Sequence, residues 1–136
     1  MYIYHIFLVL LFVISVGCRD KDKGVRERDV NINININSAE YNRLNVVGGY
    51  EYITGGIDGI VVYRKSYDEF VAYERHCPYN SSNCRRIEVL AAPLVIDSGC
   101  GSRFLLNDGS LVNGPSKYGM KQYRTYYDGT YLHIYN

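Results

Sequence analysis

The stretch VAYERHCPYNSSNCRRIEVLAAPLVIDSGCGSRFLLNDGSLVNGPS, residues 71–116, decides how this chain is read. It holds three cysteines in loop-forming surroundings: Cys77-Pro78-Tyr79, then Cys84 after Ser82-Asn83, then Asp97-Ser98-Gly99-Cys100-Gly101-Ser102. Short apolar or β-branched runs at 87–90, 94–96 and 104–106 separate these loops, each too brief for a helix and bounded by turn residues. Asp108-Gly109 and Gly114-Pro115 then punctuate the end of the stretch.

The same texture extends in both directions. Residues 30–37 alternate without a fault, Val30, Ile32, Ile34 and Ile36 against Asn31, Asn33, Asn35 and Asn37. Period two with β-branched residues predicts a strand with one face in the core and a wet asparagine face. Each buried aliphatic there contributes roughly 1.5–3 kcal/mol. Residues 38–45 are polar and read as a turn. Further strands are predicted at 50–54, 59–64, 69–73, 121–127 and 130–135, with hairpin signals at Gly55-Gly56 and Asp128-Gly129. Many short strands, 13 glycines and no helical period point to an all-β fold, an antiparallel sandwich or open barrel. Gly48-Gly49 and Gly55-Gly56 lack the Lys-Ser/Thr ending and following helix of a phosphate loop, so they are read as turns.

The N-terminus carries a different message. Residues 1–17 contain no Asp, Glu, Lys or Arg and are apolar through 6–14, too short for a bilayer span and read as a signal peptide. It stops at Ser15-Val16-Gly17-Cys18, which resembles a bacterial lipoprotein site at which Cys18 is lipidated and becomes the mature N-terminus. Residues 18–29 run CRDKDKGVRERD, a charged tether that lacks the apolar surface to fold by itself. An exported, membrane-anchored envelope protein is expected, in which residues 30–136 form one domain. With 15 Lys and Arg against 14 Asp and Glu, nothing steers the chain to nucleic acid.

The loops of residues 71–116 resemble those of the Rieske iron–sulfur family, and the likeness runs from about residue 46 to the C-terminus. The family's first box is Cys-x-His; Cys77-Pro78 matches it and Tyr79 stands in the histidine slot. The second box is Cys-x-x-His followed by Gly-Ser and a Phe two places on. Gly101-Ser102-Arg103-Phe104 matches that tail, which puts Asp97 in the cysteine slot and Cys100 in the histidine slot. Asn107-Asp108-Gly109 and Gly114-Pro115-Ser116 match the segments that follow. The resemblance implies a β-sandwich or open-barrel base, a small loop-bearing subdomain near 73–105, and a [2Fe-2S] centre serving one-electron transfer with a redox or envelope partner.

Of the four ligand slots only Cys77 keeps its residue type, so three readings of the cysteine loops stand side by side. In the first there is no cofactor and the loops are stapled by a disulfide. The family's interloop bridge suggests Cys84–Cys100, with Cys77–Cys100 as the alternative, in a binding or structural lipoprotein. In the second, Cys77, Cys84, Cys100 and Asp97 ligate an altered [2Fe-2S] cluster, whose more anionic ligands lower its potential. In the third, the three cysteines with His76 or Asp97 hold mononuclear zinc. No Ser/His/Asp order or Cys/His pair positions a nucleophile, so a carrier or binding module is expected rather than an enzyme. His133, between Tyr131 and Tyr135 on one strand face, reads as a surface residue. The 15 tyrosines, dense over 118–135, read as cross-strand packing that also offers a binding surface.

Overall fold

A computed structural model describes residues 25–136 of the chain. The signal segment, Cys18 and the tether up to residue 24 lie outside the described residues. Among the described residues no helix is long and apolar enough to cross a membrane.

The fold is all-β and antiparallel. Ten strands follow one another: β1 (Asn31–Asn35), β2 (Tyr50–Ile53), β3 (Ile60–Arg64), β4 (Phe70–Glu74), β5 (Glu88–Ala91), β6 (Leu94–Ile96), β7 (Arg103–Leu105), β8 (Leu111–Asn113), β9 (Gln122–Tyr127) and β10 (Tyr131–Tyr135). They form a six-stranded sheet in the order β1-β10-β9-β4-β3-β2 and a four-stranded sheet in the order β5-β6-β7-β8. The N-terminal strand forms one edge of the large sheet, where β1 pairs with β10 at Asn31 opposite Tyr135 and Ile34 opposite Leu132.

The alternation of residues 30–37 is realised as expected. Val30, Ile34 and Ile36 are buried, while Asn31, Asn33 and Asn37 face water. The hairpin from β9 to β10 turns at Asp128-Gly129, where Asp128 Oδ1 accepts the amides of Thr130 and Tyr131. His133 is half-exposed, and its Nε2 meets Asn31 Oδ1 at 2.7 Å on the neighbouring strand.

β3 and β4 show no amphipathic alternation, because both of their faces are buried. Ile60, Val62, Phe70 and Ala72 enter a core enclosed by the curled large sheet. Val61, Tyr63, Val71 and Tyr73 point the other way, into a second core shared with Val95, Phe104 and Leu106 of the small sheet and its flank. Cys77 belongs to that second core.

Two elements differ from expectation. Residues 38–45, read as a turn, contain a 3₁₀ helix at Ala39–Asn45, whose single buried residue Leu44 plugs the first core. Residues 111–113, not expected as a strand, form β8 against β7 with a register shift. Three residues flanked by Gly and Ser carry too little pattern to reveal a strand whose partner lies across a turn.

The end of β4 ties the architecture together. Glu74 is fully buried. Its Oε1 accepts the amides of Asp58 (3.0 Å) and His76 (2.9 Å). Its Oε2 accepts the Ile57 amide and the Tyr123 hydroxyl, both at 2.7 Å. One side chain thus joins the β2–β3 turn, strand β9 and the entry to the first cysteine loop. Gly56, at φ +60°, passes so close that a Cβ there would lie 2.1 Å from Glu74 Oε2. Removing the carboxylate orphans three amides and a hydroxyl, and each unsatisfied buried group costs about 1–3 kcal/mol. Glu74→Ala is therefore expected to destabilise the domain by about 3 kcal/mol or more in urea unfolding. Breaking the exposed Lys65–Glu69 pair by Glu69→Ala should cost less than about 1 kcal/mol. Equal effects would show that the Glu74 network is not the anchor.

Candidate metal centre

Two loops and one strand end supply the site. Cys77 leaves β4 just past Glu74, with its carbonyl accepting the Asn80 amide at 3.0 Å to close a tight turn. Cys84 ends a second turn, its amide donating to Ser81 O at 2.9 Å. Asp97 follows β6, and its carbonyl accepts the Gly101 amide at 2.8 Å, which curls the chain back and brings Cys100 to the same point. Loops 81–85 and 97–101 touch so closely that a Cβ on Gly99 would sit 1.9 Å from the Asn83 carbonyl oxygen.

The result is a single cluster. One donor atom from each of Cys77, Cys84, Asp97 and Cys100 lies within 4.8 Å of the others. Cys77 and Asp97 are buried, while Cys84 and Cys100 are half-buried. The sequence pattern selected all four of these residues, and the fold brings them together. This arrangement of three thiols and a carboxylate could hold a metal ion.

His76, the other candidate fourth ligand, is turned elsewhere. Its Nδ1 meets Asp58 Oδ2 at 2.5 Å and its Nε2 meets Asn80 Oδ1 at 3.2 Å. Adjacent residues of an extended segment diverge, and His76 leaves the sulfur cluster by that route. Tyr79, in the slot where the Rieske pattern has histidine, exposes its ring to solvent.

The three cysteines are free thiols. Neither the Cys84–Cys100 bridge nor the Cys77–Cys100 bridge is formed: Cys77 and Cys100 Sγ stand 3.7 Å apart, whereas a disulfide bond measures about 2.05 Å.

The electrostatics favour anionic oxygen and protonated sulfur. Burial raises the Asp97 pKa, but amides from Arg85, Cys100 and Gly99 and the Cys77 thiol overcome this, and the acid is held below its ordinary value. Oδ1 accepts the amides of Arg85 (3.0 Å), Gly99 (2.7 Å) and Cys100 (3.1 Å), whereas Oδ2 shares only the Arg85 amide among them. Oδ2 therefore keeps acceptor capacity facing the thiols. The Cys77 thiol is pushed well up, chiefly by burial; the Tyr79 amide opposes this, while Asp97 and the other two thiols add to it. Burial also raises Cys84, against an amide bond from Ser81. The Cys100 thiol donates to Ser102 Oγ at 3.2 Å, and that oxygen accepts the Ser116 amide, tying the Gly114-Pro115-Ser116 segment to the second loop.

Three supporting groups escaped the sequence reading: Glu74, Ser102 and Arg75. Glu74-Arg75 ends an apolar run with two consecutive charges just before His76-Cys77, a break in strand pattern that signals buried, partnered charge. Ser102 carries no such mark beyond its place in the Gly-Ser tail.

A scan against protein-family models found no match, and no curated protein matches the chain at a significant level.

Thiol accessibility follows from this geometry. In the metal-free, reduced protein, iodoacetamide at neutral pH is expected to modify Cys84 and Cys100 before Cys77, as read by peptide mass spectrometry. Modification of Cys77 first would mean that the loops open and that the cluster is not a standing feature of the fold.

Proposed function

We propose that this protein is an exported, membrane-anchored binding module whose two cysteine loops are clipped by one transition-metal ion, zinc above all. The ion would be held by Cys77, Cys84, Cys100 and Asp97. The observation that carries this reading is the mutual approach of four donor atoms within 4.8 Å.

The separations fit one ion. With Zn–S near 2.3 Å, two sulfurs on a tetrahedral zinc lie about 3.8 Å apart, and Cys77 and Cys100 Sγ are 3.7 Å apart. A two-iron cluster distributes its ligands over two metals and spreads them wider, and its high-potential form needs two imidazoles. Those are absent here, since Tyr79 and Cys100 stand in the two histidine slots. Soft thiolates with one carboxylate suit zinc, a tetrahedral ion without redox chemistry. All four positions come from the chain, which is the mark of a structural site rather than a catalytic one with an open position. The loop scaffold is thus read as Rieske-like in layout, with an ion clip in place of the electron-carrying cluster. The apolar leader ending at Cys18 supports the envelope location.

Metal content decides between these readings. Protein purified under reducing conditions should contain one zinc per chain, and cobalt substitution should give the visible bands of a tetrahedral thiolate site. Cys84→Ser should weaken zinc by more than the roughly 10–100-fold that loss of an outer-shell partner costs. Asp97→Cys, whose sulfur would accept the same amides, should bind more tightly. Two irons per chain with a cluster spectrum would instead establish the electron carrier. Metal-free protein lighter by two hydrogens would establish the disulfide staple.

A further inference from the structure

We propose that the cleft between the β2–β3 turn and Arg75 binds a small molecule through its phosphate or carboxylate group, gripped by the guanidinium groups of Arg75 and Arg86. The site is distinct from the sulfur cluster and does not depend on it.

The cleft has a volume of about 700 Å³ and is walled by Tyr52, the turn residues 53–59, Arg28, Arg75 and Arg86. That volume suits a small organic ligand. Arg75 is its built element. The residue is only 7% exposed, and its guanidinium lies 3.8 Å from the centroid of the Tyr52 ring. Its Nε donates to Ile87 O at 2.8 Å. Tyr52 is fixed in turn, because its hydroxyl accepts the Val89 amide at 2.7 Å.

The terminal nitrogens of Arg75 are not matched in the same way. Their one ion-pair partner within 4.0 Å among the described residues is Glu88, which is itself exposed, while Asp58 acts on them from farther away. A guanidinium carries five N–H donors, and those on Nη1 and Nη2 make no hydrogen bond to a protein acceptor among the described residues. These donors line the cleft, where an oxyanion would accept them in bidentate geometry. Arg86 is exposed on the same cleft; burial chiefly, and the like charge of Arg86 in addition, lowers the Arg75 pKa against the pull of Tyr52, Glu88 and Asp58. An anion between the two cations offsets their mutual repulsion.

The acidic groups nearby do not fill this role. Asp58 is committed to His76 at 2.5 Å. Asp29 lies exposed on the cleft wall, beside Arg28, whose Nη1 donates to Gly56 O at 3.1 Å. Tyr52 and the glycine-bearing turn leave one side open to the rest of the ligand.

The test is a titration of the purified full-length protein, ¹⁵N-labelled, with inorganic phosphate and separately with succinate, at constant ionic strength. Saturable shifts of the Arg75 Nε–H and of the amides of residues 55–59 are expected. The anion that saturates at lower concentration identifies the ligand group as phosphoryl or carboxyl. Arg86→Gln, an exposed change that leaves the Arg75 packing intact, should weaken binding about tenfold or more, the worth of a charge-assisted hydrogen bond. Arg75→Lys keeps the charge but loses the fork, and should weaken it comparably. Shifts that chloride reproduces, or an Arg86→Gln variant that binds as the parent does, would overturn the proposal.

Discussion

Glu74 sits at the point from which both functional loops are hung. Its carboxylate accepts four hydrogen bonds, from two residues of the β2–β3 turn, from His76 and from Tyr123 of β9. A buried carboxylate is tolerated only when its lone pairs are answered, and here they are answered by donors from three separate parts of the chain. The ordering runs both ways. The turn cannot relax without stranding its amides, and Cys77 cannot shift without dragging the His76 amide off Oε1. Sequence next to Glu74 is therefore spatially fixed on either side: Arg75 toward the cleft, Cys77 toward the sulfur cluster.

The sulfur cluster presents a second balance. Four groups that could each be anionic are held within one coordination sphere's reach. As an acid and three thiols the arrangement carries one negative charge, and the amides of the second loop supply most of what that charge needs. Ionising the thiols without a cation would place up to four like charges together at half-buried positions, which burial and mutual repulsion oppose. The raised Cys77 and Cys84 pKa values express this resistance. A divalent cation inverts that logic, because coordinated thiols give up their protons readily. The amide on Cys77 sulfur and the amides on Asp97 would support the charged ligands in either state.

Much of this was legible in the residues themselves, and the parts that were not share a cause. The asparagine–aliphatic alternation announced β1 because one face is wet and one dry. The turn glycines placed the hairpins. The three cysteines and Asp97 were gathered through the resemblance of the two loops to the Rieske boxes, which put Asp97 in a ligand slot beside them. What stayed hidden depends on long-range partners. β8 exists because β7 lies beside it, and Leu44 is buried because the curled sheet leaves a hole there. His76 was a plausible ligand by type, and only the position of Asp58, eighteen residues earlier, shows where its ring goes.

Placement, finally, separates the two sites by chemistry. The sulfur cluster is a meeting of loops behind β4, with Cys77 built into the second core and Cys84 and Cys100 half-buried. The arginine cleft lies on the other side of His76 and Asp58, and it is open and cationic. Asp58 and Arg86 also line the small recess that leads to Cys77 and Cys84, so the two share a wall. Arg85 and Arg86 belong to the segment that runs from Cys84 into β5. The fold thus places one guanidinium directly after strand β4 and the other on the segment between Cys84 and β5, both lining the same cleft.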